Sequence, residues 1–305
     1  MNKYDVIIID GNNFFFKMFS TQGKLSIKNG SKELFTGATF GLIQSILATK
    51  RDYLNKDGQM FIVWDKGHVR RTELYPEYKN NRNKDEWEDY ENFKTQMKMA
   101  KYVLSFLGIN QAIKDGEEAD DIAGTIAKQN ADNGKKVLLA SADKDFQQLI
   151  NTNIDLLAHK GAGNIRLWNE YTWEKDRGYS PSLFVLFLAL NGDKGDNIPG
   201  INGIGEVAAT KFIIENSSLL YAILEEIDIA AFIPVKQSAA MQKLISKEGQ
   251  ENFRLSFKLA LIDKEVKNIK IRKCKNLEKL NDIFEQLQFD SMLPGTKYWS
   301  IIENL

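Results

Sequence analysis

Acidic residues recur in this sequence at the ends of apolar runs, in five separate stretches. They are Asp10; Asp65; Glu118 with Asp120 and Asp121; Asp143 with Asp145; and Asp193 with Asp196. Carboxylates that converge in one place repel each other strongly unless cations lie between them. A chain that brings so many together therefore predicts a site for divalent metal ions.

The residue types at these positions also indicate which metal. They offer only oxygen ligands, and His68, His159 and Cys274, the chain's two histidines and single cysteine, are too few for a usual zinc site. Oxygen ligands favour Mg²⁺ or Mn²⁺. Two such ions lying close together would activate a water molecule and stabilise the leaving oxygen of a phosphodiester.

Capping is the alternative explanation for several of these acids. Glu118-Ala-Asp-Asp121 opens a predicted helix, where acidic side chains are favoured as caps. Three carboxylates in four residues exceed that need. Because neighbours on a helix cannot point the same way, we expect Glu118 and Asp120 to face one metal, and Asp121 to reach another or to act through water.

The other two acid pairs leave local structure open. Asp143 and Asp145 directly follow a predicted strand and can project to the same side, although either could cap the next helix. Asp193 and Asp196 share a face if their segment is helical. The glycines around them make a loop equally possible.

A glycine turn follows the last acid pair. Gly203-Ile-Gly205 lies between two helical runs and is similar to a helix–hairpin–helix. Its backbone N–H groups, beside a helix N-terminus, can hold a phosphate without reading a base. We expect Gly203, Gly205 and the following Lys211 to contact DNA.

A basic stretch, RRTELYPEYKNNR, covers residues 70–82. One interpretation is an exposed basic loop; the functional one places Lys79 and Arg82 at the scissile phosphate, where cations stabilise developing charge. Tyr75 or Tyr78 could then stack on an unpaired base. The residues of this stretch that we expect to contact DNA are Arg70, Arg71, Tyr75 and Tyr78.

The overall charge does not indicate a polyanion partner, but its distribution does. The chain carries 41 basic and 41 acidic residues and a formal net charge of zero. A second basic cluster near the C-terminus contains Lys258, Lys264, Lys267, Lys270, Arg272, Lys273 and Lys275. Acid within a site and base around it suit a metal-dependent enzyme acting on a polyanion. A solvated surface explains the second cluster equally well.

The order of predicted elements supports an α/β fold. Predicted strands at 4–10, 59–65, 109–113 and 136–140 alternate with helical stretches at 38–53, 84–107 and 120–130. Such units imply a mainly parallel sheet with helices on both faces, and ligands bind beyond the carboxyl ends of its strands. From about residue 181 the pattern is mostly helical. We therefore predict a nuclease core at 1–180 and a helical DNA-binding region at 181–305.

The ordered motifs resemble those of the 5′-nuclease superfamily of flap endonucleases and 5′–3′ exonucleases. They are IIIDGNN, VWDKG, LYPEYKNNR, GEEADDIAGTIA, SADKDFQQLI and GDKGDNIPGINGIGEVAATKFI, between residue 6 and about residue 213. The likeness extends to the stand-alone bacteriophage enzymes and the 5′-nuclease domain of bacterial family A DNA polymerases. No GxxxxGK[ST] phosphate loop is present, which argues against an NTPase.

The resemblance assigns roles to the acids and cations. It implies sequence-independent cleavage near 5′ ends and single-strand–duplex junctions with two Mg²⁺ ions, for which Mn²⁺ can substitute. Asp65, Glu118, Asp120 and Asp143 would hold the first ion, and Asp145, Asp193 and Asp196 the second. Asp10 and Asp121 would act mainly through water.

The same resemblance predicts how DNA is held. Lys79 and Arg82 would lie at the base of a helical arch formed by residues 70–107, through which a single strand passes. The hairpin at 200–206 would grip the duplex, with K⁺ as a candidate ion there. The substrate would be a flap, nicked or 5′-overhang duplex, in replication or repair.

Two alternatives share this fold. A non-catalytic relative that only binds DNA structures would be expected to have lost acids, whereas all nine family positions are acidic here. An RNase acting on RNA–DNA hybrids would use the same chemistry. The N-terminal apolar run lacks a basic n-region and is too short for a membrane span. We expect a free-standing, monomeric, cytoplasmic enzyme with no membrane partner.

Overall fold

A seven-stranded sheet forms the centre of this computed structural model, which describes residues 3–29, 32–82, 87–160, 164–235 and 237–305. The described strands in this sheet are β1 (Tyr4–Asp10), β4 (Leu54–Trp64), β5 (Asn110–Ile113), β6 (Val137–Ser141), β7 (Ile154–Lys160), β8 (Asn164–Trp168) and β9 (Lys270–Arg272). A separate antiparallel hairpin consists of β2 (Ser26–Asn29) and β3 (Lys32–Phe35).

The strand order is β8-β7-β6-β1-β4-β5-β9. The five inner strands run parallel, and the edge strands β8 and β9 pair antiparallel to their neighbours. The predicted α/β class with a mainly parallel sheet is therefore confirmed.

Strand β1 marks the point where the winding of the sheet reverses. The chain passes from β1 to β4 and β5 on one side, and only then to β6 and β7 on the other. Parallel sheets have a crevice beyond the carboxyl ends of the strands at such a point. Asp10 ends β1, Asp65 directly follows β4, and Asp143 lies just past β6, so all three stand at this crevice.

Helices cover both faces of the sheet, as predicted. They are α1 (Gly11–Gln22), α2 (Gly37–Tyr53), α3 (Val69–Leu74), α4 (Tyr90–Leu104), α5 (Ala119–Asp132), α6 (Glu170–Arg177), α7 (Phe184–Asn191), α8 (Glu206–Leu224), α9 (Ala239–Ile245), α10 (Lys247–Ala260), α11 (Leu277–Gln286) and α12 (Lys297–Glu303). Short 3₁₀ helices occupy Lys144–Leu149, Pro181–Leu183, Ala230–Phe232 and Asp290–Met292.

Alternation along β1 separates the two cores. Val6 and Ile8 pack on one side with apolar residues of α5, α7, α8 and α10. Ile7 and Ile9 pack on the other with residues of α1, α2, α4, α11 and α12. Successive side chains of a strand point to opposite faces, so one central strand supports both cores.

The structure shortens the helix predicted at 84–107, whereas the arch itself stays a prediction. The helix expected at 84–107 begins at Tyr90, and its inner face is buried: Ala100, Val103 and Leu104 have no exposed area. Phe93 also contacts Phe15, at a ring-centroid distance of 5.1 Å. A helix packed this way is part of the core. Residues 83–86 of the predicted arch lie outside the described residues, and passage of a strand there stays a prediction.

The C-terminal part returns to the sheet. Helices α7 to α10 fit the helical pattern predicted beyond residue 181, but β9 then pairs with β5, and α12 packs on α2. Sequence analysis did not predict β9. The division into two domains at residue 180 stays a prediction.

Among the described residues, α8 is long and apolar enough to cross a membrane by length and composition. This is weak evidence, because a core helix of a soluble protein passes the same test. Asn216 interrupts α8 with non-helical backbone angles, and Ala209, Phe212 and Leu220 pack into the first core.

Candidate active site

The strand-end acids are fixed by hydrogen bonds from the backbone. Asp10 accepts from the N–H of Asn13 and from the Ser141 hydroxyl, both at 3.0 Å. Asp143 caps the 3₁₀ helix and accepts from the Asp145 N–H at 2.9 Å. One acid can therefore cap a helix and also belong to the site, whereas the sequence presented these as alternatives.

The first turn of α5 brings three more acids to the same crevice. Asp65 accepts from the N–H of Ala119 at 2.7 Å, which ties the end of β4 to this turn. The ligand atoms of Glu118, Asp120 and Asp121 all lie within 4.8 Å of each other. The cation that this spacing accommodates in the structure is the Arg71 guanidinium, which donates to Glu118 and Asp121.

Arg71 lies inside this cluster, which corrects its prediction as a DNA contact. The residue is 2% exposed. Its guanidinium donates to Glu118, to both oxygens of Asp121 (2.6 and 3.0 Å) and to the Leu259 carbonyl (2.8 Å). The sequence could not reveal this, because its partners lie 47 to 188 positions further along the chain.

Asp121 differs from its neighbours because its two oxygens already have partners. One accepts from Arg71 and from the backbone N–H of Asp263 at 2.7 Å, and the other also accepts from Arg71. Asp121 is 1% exposed. Its carboxylate therefore does not face the crevice as a free ligand.

The two tyrosines of the basic stretch separate. Tyr78 is 4% exposed and directs its hydroxyl towards Glu118, at 3.3 Å. It has no open ring face for a base, so the suggestion that Tyr78 stacks on one is wrong. Tyr75 is partly buried, and Arg70 is half-exposed beside Asp121. Stacking by Tyr75 and a DNA contact by Arg70 stay predictions.

Lys79 and Arg82 face the last acid pair. The Lys79 ammonium pairs with Glu118 and lies 3.4 Å from an Asp196 carboxylate oxygen. Arg82 pairs with the same aspartate. Asp193 and Asp196 stand in a loop rather than a helix, closed by bridging hydrogen bonds between Asp193 and Ile198.

Backbone contacts join these two segments along their length. The Lys79 N–H donates to the Asp196 carbonyl at 3.0 Å. Asn81 donates to the Lys194 carbonyl at 2.6 Å, and Asn197 to the Glu77 carbonyl at 2.8 Å. We call this pair of segments, 75–82 and 193–198, the clasp.

Lys144 is a site residue that sequence analysis missed. Its ammonium lies 2.6 Å from Asp193, so it connects the 3₁₀ helix to the clasp. Its signal was its position between Asp143 and Asp145.

The acids perturb one another's pKa. Burial and then the Asp65 charge raise the pKa of Asp10 to about 7. Burial also raises the pKa of Asp120 and Asp145 well above the ordinary range. Burial alone would raise the pKa of Glu118, but Arg71 and Lys79 bring it below its usual value. The Lys144 ammonium likewise lowers the pKa of Asp193, whereas Asp10, Asp120 and Asp145 keep a raised pKa.

The donor set fits divalent metal. Oδ1 of Asp145 is buried without a hydrogen-bond partner, a costly state for a carboxylate oxygen. The carboxylates of Asp143, Asp196 and Asp193 raise the pKa of Asp145, and the Lys144 ammonium lowers it. A hard cation bound by oxygen ligands would satisfy that atom.

The glycine turn precedes α8. Ile201 and Ile204 are buried and anchor it, while Gly203 adopts a positive φ of 86°. Gly205 is the N-cap of α8, and a Cβ there would meet open space. The α8 N-terminus is therefore accessible, and Lys211 is exposed six residues beyond Gly205.

Comparisons with known proteins agree with this architecture. Family models for the 5′–3′ exonuclease N-terminal resolvase-like domain and C-terminal SAM fold match residues 5–175 and 179–282. The chain belongs to the 5′–3′ exonuclease family. DNA polymerase I of Pseudomonas aeruginosa is 29% identical over 96% of this chain. The chain spans 31% of that relative's length.

Solved structures show the same fold. A bacteriophage T5 5′-exonuclease with bound zinc superposes with a TM-score of 0.67 at 21% identity, covering 99% of this chain and 96% of that one. The T5 flap endonuclease in a product complex with DNA and metal ions gives 0.66 at 22% identity, covering 99% and 100%. The family models confirm the predicted membership of the 5′-nuclease superfamily. The role predicted for each individual site residue stays a prediction.

Proposed function

We propose that this chain hydrolyses DNA phosphodiesters near 5′ ends and single-strand–duplex junctions with two Mg²⁺ ions. The observation that carries the proposal is the buried, unpartnered Oδ1 of Asp145 among other carboxylates at the strand ends. Mn²⁺ would substitute, since it accepts the same oxygen ligands.

The acids divide by position. Asp65, Glu118, Asp120 and Asp143 would hold one ion, and Asp145, Asp193 and Asp196 the other. When bound, the ions supply an activated water and stabilise the leaving oxygen. Asp10, hydrogen-bonded to Ser141 and Asn13, would act through water. Asp121 would act indirectly, because Arg71 occupies both its oxygens.

Lys79 and Arg82 would stabilise charge at the scissile phosphate. Their carboxylate partners, Glu118 and Asp196, are also candidate ligands. If Glu118 and Asp196 served as metal ligands, Lys79 and Arg82 would be available to stabilise charge on a phosphate oxygen. The clasp would keep them within reach throughout.

The turn at 200–206 would hold the duplex. N–H groups at the open α8 N-terminus favour a phosphate, and Lys211 would add a second contact. K⁺ at this turn is part of the proposal. Flap, nicked and 5′-overhang duplexes are the expected substrates, and the expected enzyme is a cytoplasmic monomer without a membrane partner.

Cleavage of a 5′-labelled flap duplex tests the proposal. Native protein with Mg²⁺ should release short products, and EDTA or Asp145→Asn should abolish them. Binding without any Mg²⁺-dependent product by the native protein would sink the catalytic proposal in favour of a DNA-structure-binding protein. A parallel RNA–DNA hybrid substrate tests for RNase activity.

A further inference from the structure

A groove opens beside the active site, between α4 and the β5–β9 edge of the sheet. It has a volume of about 820 Å³. The floor follows the strand register, since Trp64 is opposite Ile113 on β5, which in turn is opposite Lys270. The sequence continues from Trp64 directly into Asp65, so one end of the groove lies next to the candidate metal site.

The groove is basic. Five cations line it: Lys66, Lys101, Lys270, Arg272 and Lys273. None of its described lining residues is acidic. Asp115, outside the lining, pairs with Lys66 and Lys270. Arg272 and Lys273 are exposed and form no ion pair with any described residue. Such a concentration of one sign favours an anionic ligand.

Lys101 connects the groove to the active site. Its ammonium lies 4.4 Å from the centre of the Trp64 ring, on the groove floor. Burial lowers its pKa, and the charge of Asp65 acts in the opposite direction. Lys101 therefore lies on the groove floor and within the electrostatic influence of the Asp65 carboxylate.

The wall of the groove carries aromatic side chains. Phe106 lines it, and Tyr102 on α4 packs edge to face against Phe106 with ring centroids 5.2 Å apart. Tyr102 is 51% exposed. Cations beside exposed aromatic rings suit unpaired bases, because phosphates pair with the cations while bases stack on the rings.

We propose that this α4–β9 groove binds a single-stranded segment of nucleic acid continuous with the strand in the active site. Lys101, Arg272 and Lys273 would contact its phosphates, and Tyr102 with Phe106 would stack on its bases. The continuity with the cut strand rests on the nuclease function proposed above. Binding itself does not require cleavage.

Charge reversal tests the binding. A labelled oligothymidylate of about 12 nucleotides is titrated with protein in EDTA, and binding is measured by fluorescence anisotropy. Arg272→Glu/Lys273→Glu should weaken binding at least ~10-fold and reduce the slope of log K against log salt by about 1.4, for two lost phosphate contacts. The matched control is Lys264→Glu/Lys267→Glu, which reverses two cations of the same C-terminal cluster outside this groove.

Equal weakening of oligothymidylate binding by both double variants would overturn the proposal. It would also be overturned if Arg272→Glu/Lys273→Glu weakened binding of a blunt duplex of the same length by the same factor. Tyr102→Ala should weaken oligothymidylate binding without changing its salt slope. An oligouridylate arm reports the sugar preference. If Arg272→Glu/Lys273→Glu weakens oligouridylate binding, the proposal is supported. If oligouridylate binds the native protein and this variant equally, the result counts against the proposal.

Cys274 provides a probe within the native chain. It is the single cysteine, it is exposed, and it lines the groove. Saturating oligothymidylate should slow its reaction with a neutral maleimide, with half-protection at the Kd from anisotropy. An unchanged rate at saturation would show that the strand binds elsewhere.

Cleavage separates this inference from the proposed function. On a flap with a long single-stranded arm, the Arg272→Glu/Lys273→Glu variant should lose at least ~5-fold more kcat/KM than on a nicked duplex. If native protein cuts neither substrate, the proposed function fails while the binding assays still decide the groove. If native protein cuts both and the variant loses equally on each, the groove inference fails alone.

Discussion

At the scale of single residues, one guanidinium holds three parts of the chain together at the site. Arg71 on α3 binds Glu118 and Asp121 at the start of α5 and the Leu259 carbonyl at the end of α10. It therefore neutralises two buried carboxylates, Glu118 and Asp121. We regard Arg71 as a positioning residue.

Arg71→Met should destabilise the metal-free protein by about 3–5 kcal/mol, because Glu118 loses a buried charge partner and both oxygens of Asp121 lose their guanidinium donor. Urea unfolding in EDTA measures this. The control, Lys128→Met, removes an exposed pair with Asp132 and should cost less than ~1 kcal/mol. A similar small loss for both variants would refute the positioning role.

Asp10 makes the stability of the metal-free protein depend on pH. Its pKa is about 7 in the folded chain against an ordinary 3.8, so the folded chain retains a proton that the unfolded chain loses. The free energy of unfolding should therefore fall as pH rises from about 4 to 7. Asp10→Asn removes this contribution.

The stability of Asp10→Asn relative to the native protein should be greater at pH 8 than at pH 5, by at most about 2.7 kcal/mol, because the folded native carboxyl loses its proton between these pH values. Urea unfolding in EDTA at both pH values gives the difference. The exposed Asp57→Asn control should show no such change. A native–variant difference independent of pH would contradict the argument.

Lys79→Ala should lower single-turnover cleavage by at least ~10²-fold, as loss of a transition-state contact does. The Arg82→Ala variant should act in the same direction. Quench-flow measurements with saturating flap DNA isolate this step from binding. An unchanged rate would remove Lys79 from the catalytic machinery.

At the scale of elements, substitutions in the turn before α8 can change helix stability and phosphate binding independently. Gly205 has the extended backbone of an N-cap (φ −89°, ψ −175°) but offers no side-chain cap. Aspartate or serine at this position would cap the helix and stabilise the fold by only a few tenths of a kcal/mol, because glycine is itself a tolerated N-cap. Only aspartate would also repel a phosphate at the α8 N-terminus.

Gly205→Asp should therefore raise the melting temperature and weaken duplex binding about tenfold, whereas Gly205→Ser raises the melting temperature with a smaller effect on binding. Differential scanning fluorimetry and anisotropy with a duplex measure the two effects. Equal duplex affinity of the aspartate and serine variants would argue against a phosphate there.

Elements with clear periodicity could be predicted, and so could the convergence of their acids. A parallel sheet directs its strand ends to one edge, so Asp10, Asp65 and Asp143 had to be near each other. The segment at 70–82 could not be predicted in this way. Arg71 and Tyr78 are buried by partners distant in sequence, and a local pattern of cations resembles an exposed loop.

At the scale of the whole molecule, the C-terminal segment completes the core of the N-terminal part. Phe284, Trp299 and Ile302 are buried against the face that contains α2, and β9 extends the sheet. The sequence showed no motif beyond about residue 213, and long-range packing of this kind leaves no local signature. The helical pattern after residue 181 therefore predicted a separate region.

A chain truncated after residue 268 should lose cooperative folding. Each large apolar side chain removed contributes about 1.5–3 kcal/mol of burial, and the net stability of a domain is only about 5–15 kcal/mol. Thermal melts by circular dichroism measure this. As a graded comparison, Phe284→Ala should cost about 3–5 kcal/mol yet still fold. A truncated chain with a native-like melt would contradict this account.

The clasp also restricts how such a chain can change length over evolution. Its two segments are joined by Lys79 to Asp196, Asn81 to Lys194, and Asn197 to Glu77, in paired order. An inserted or deleted residue in either segment would shift every later pair, and with it both the acids and the cations. Length variation among homologues should therefore fall outside 75–82 and 193–198, or occur in both segments at once.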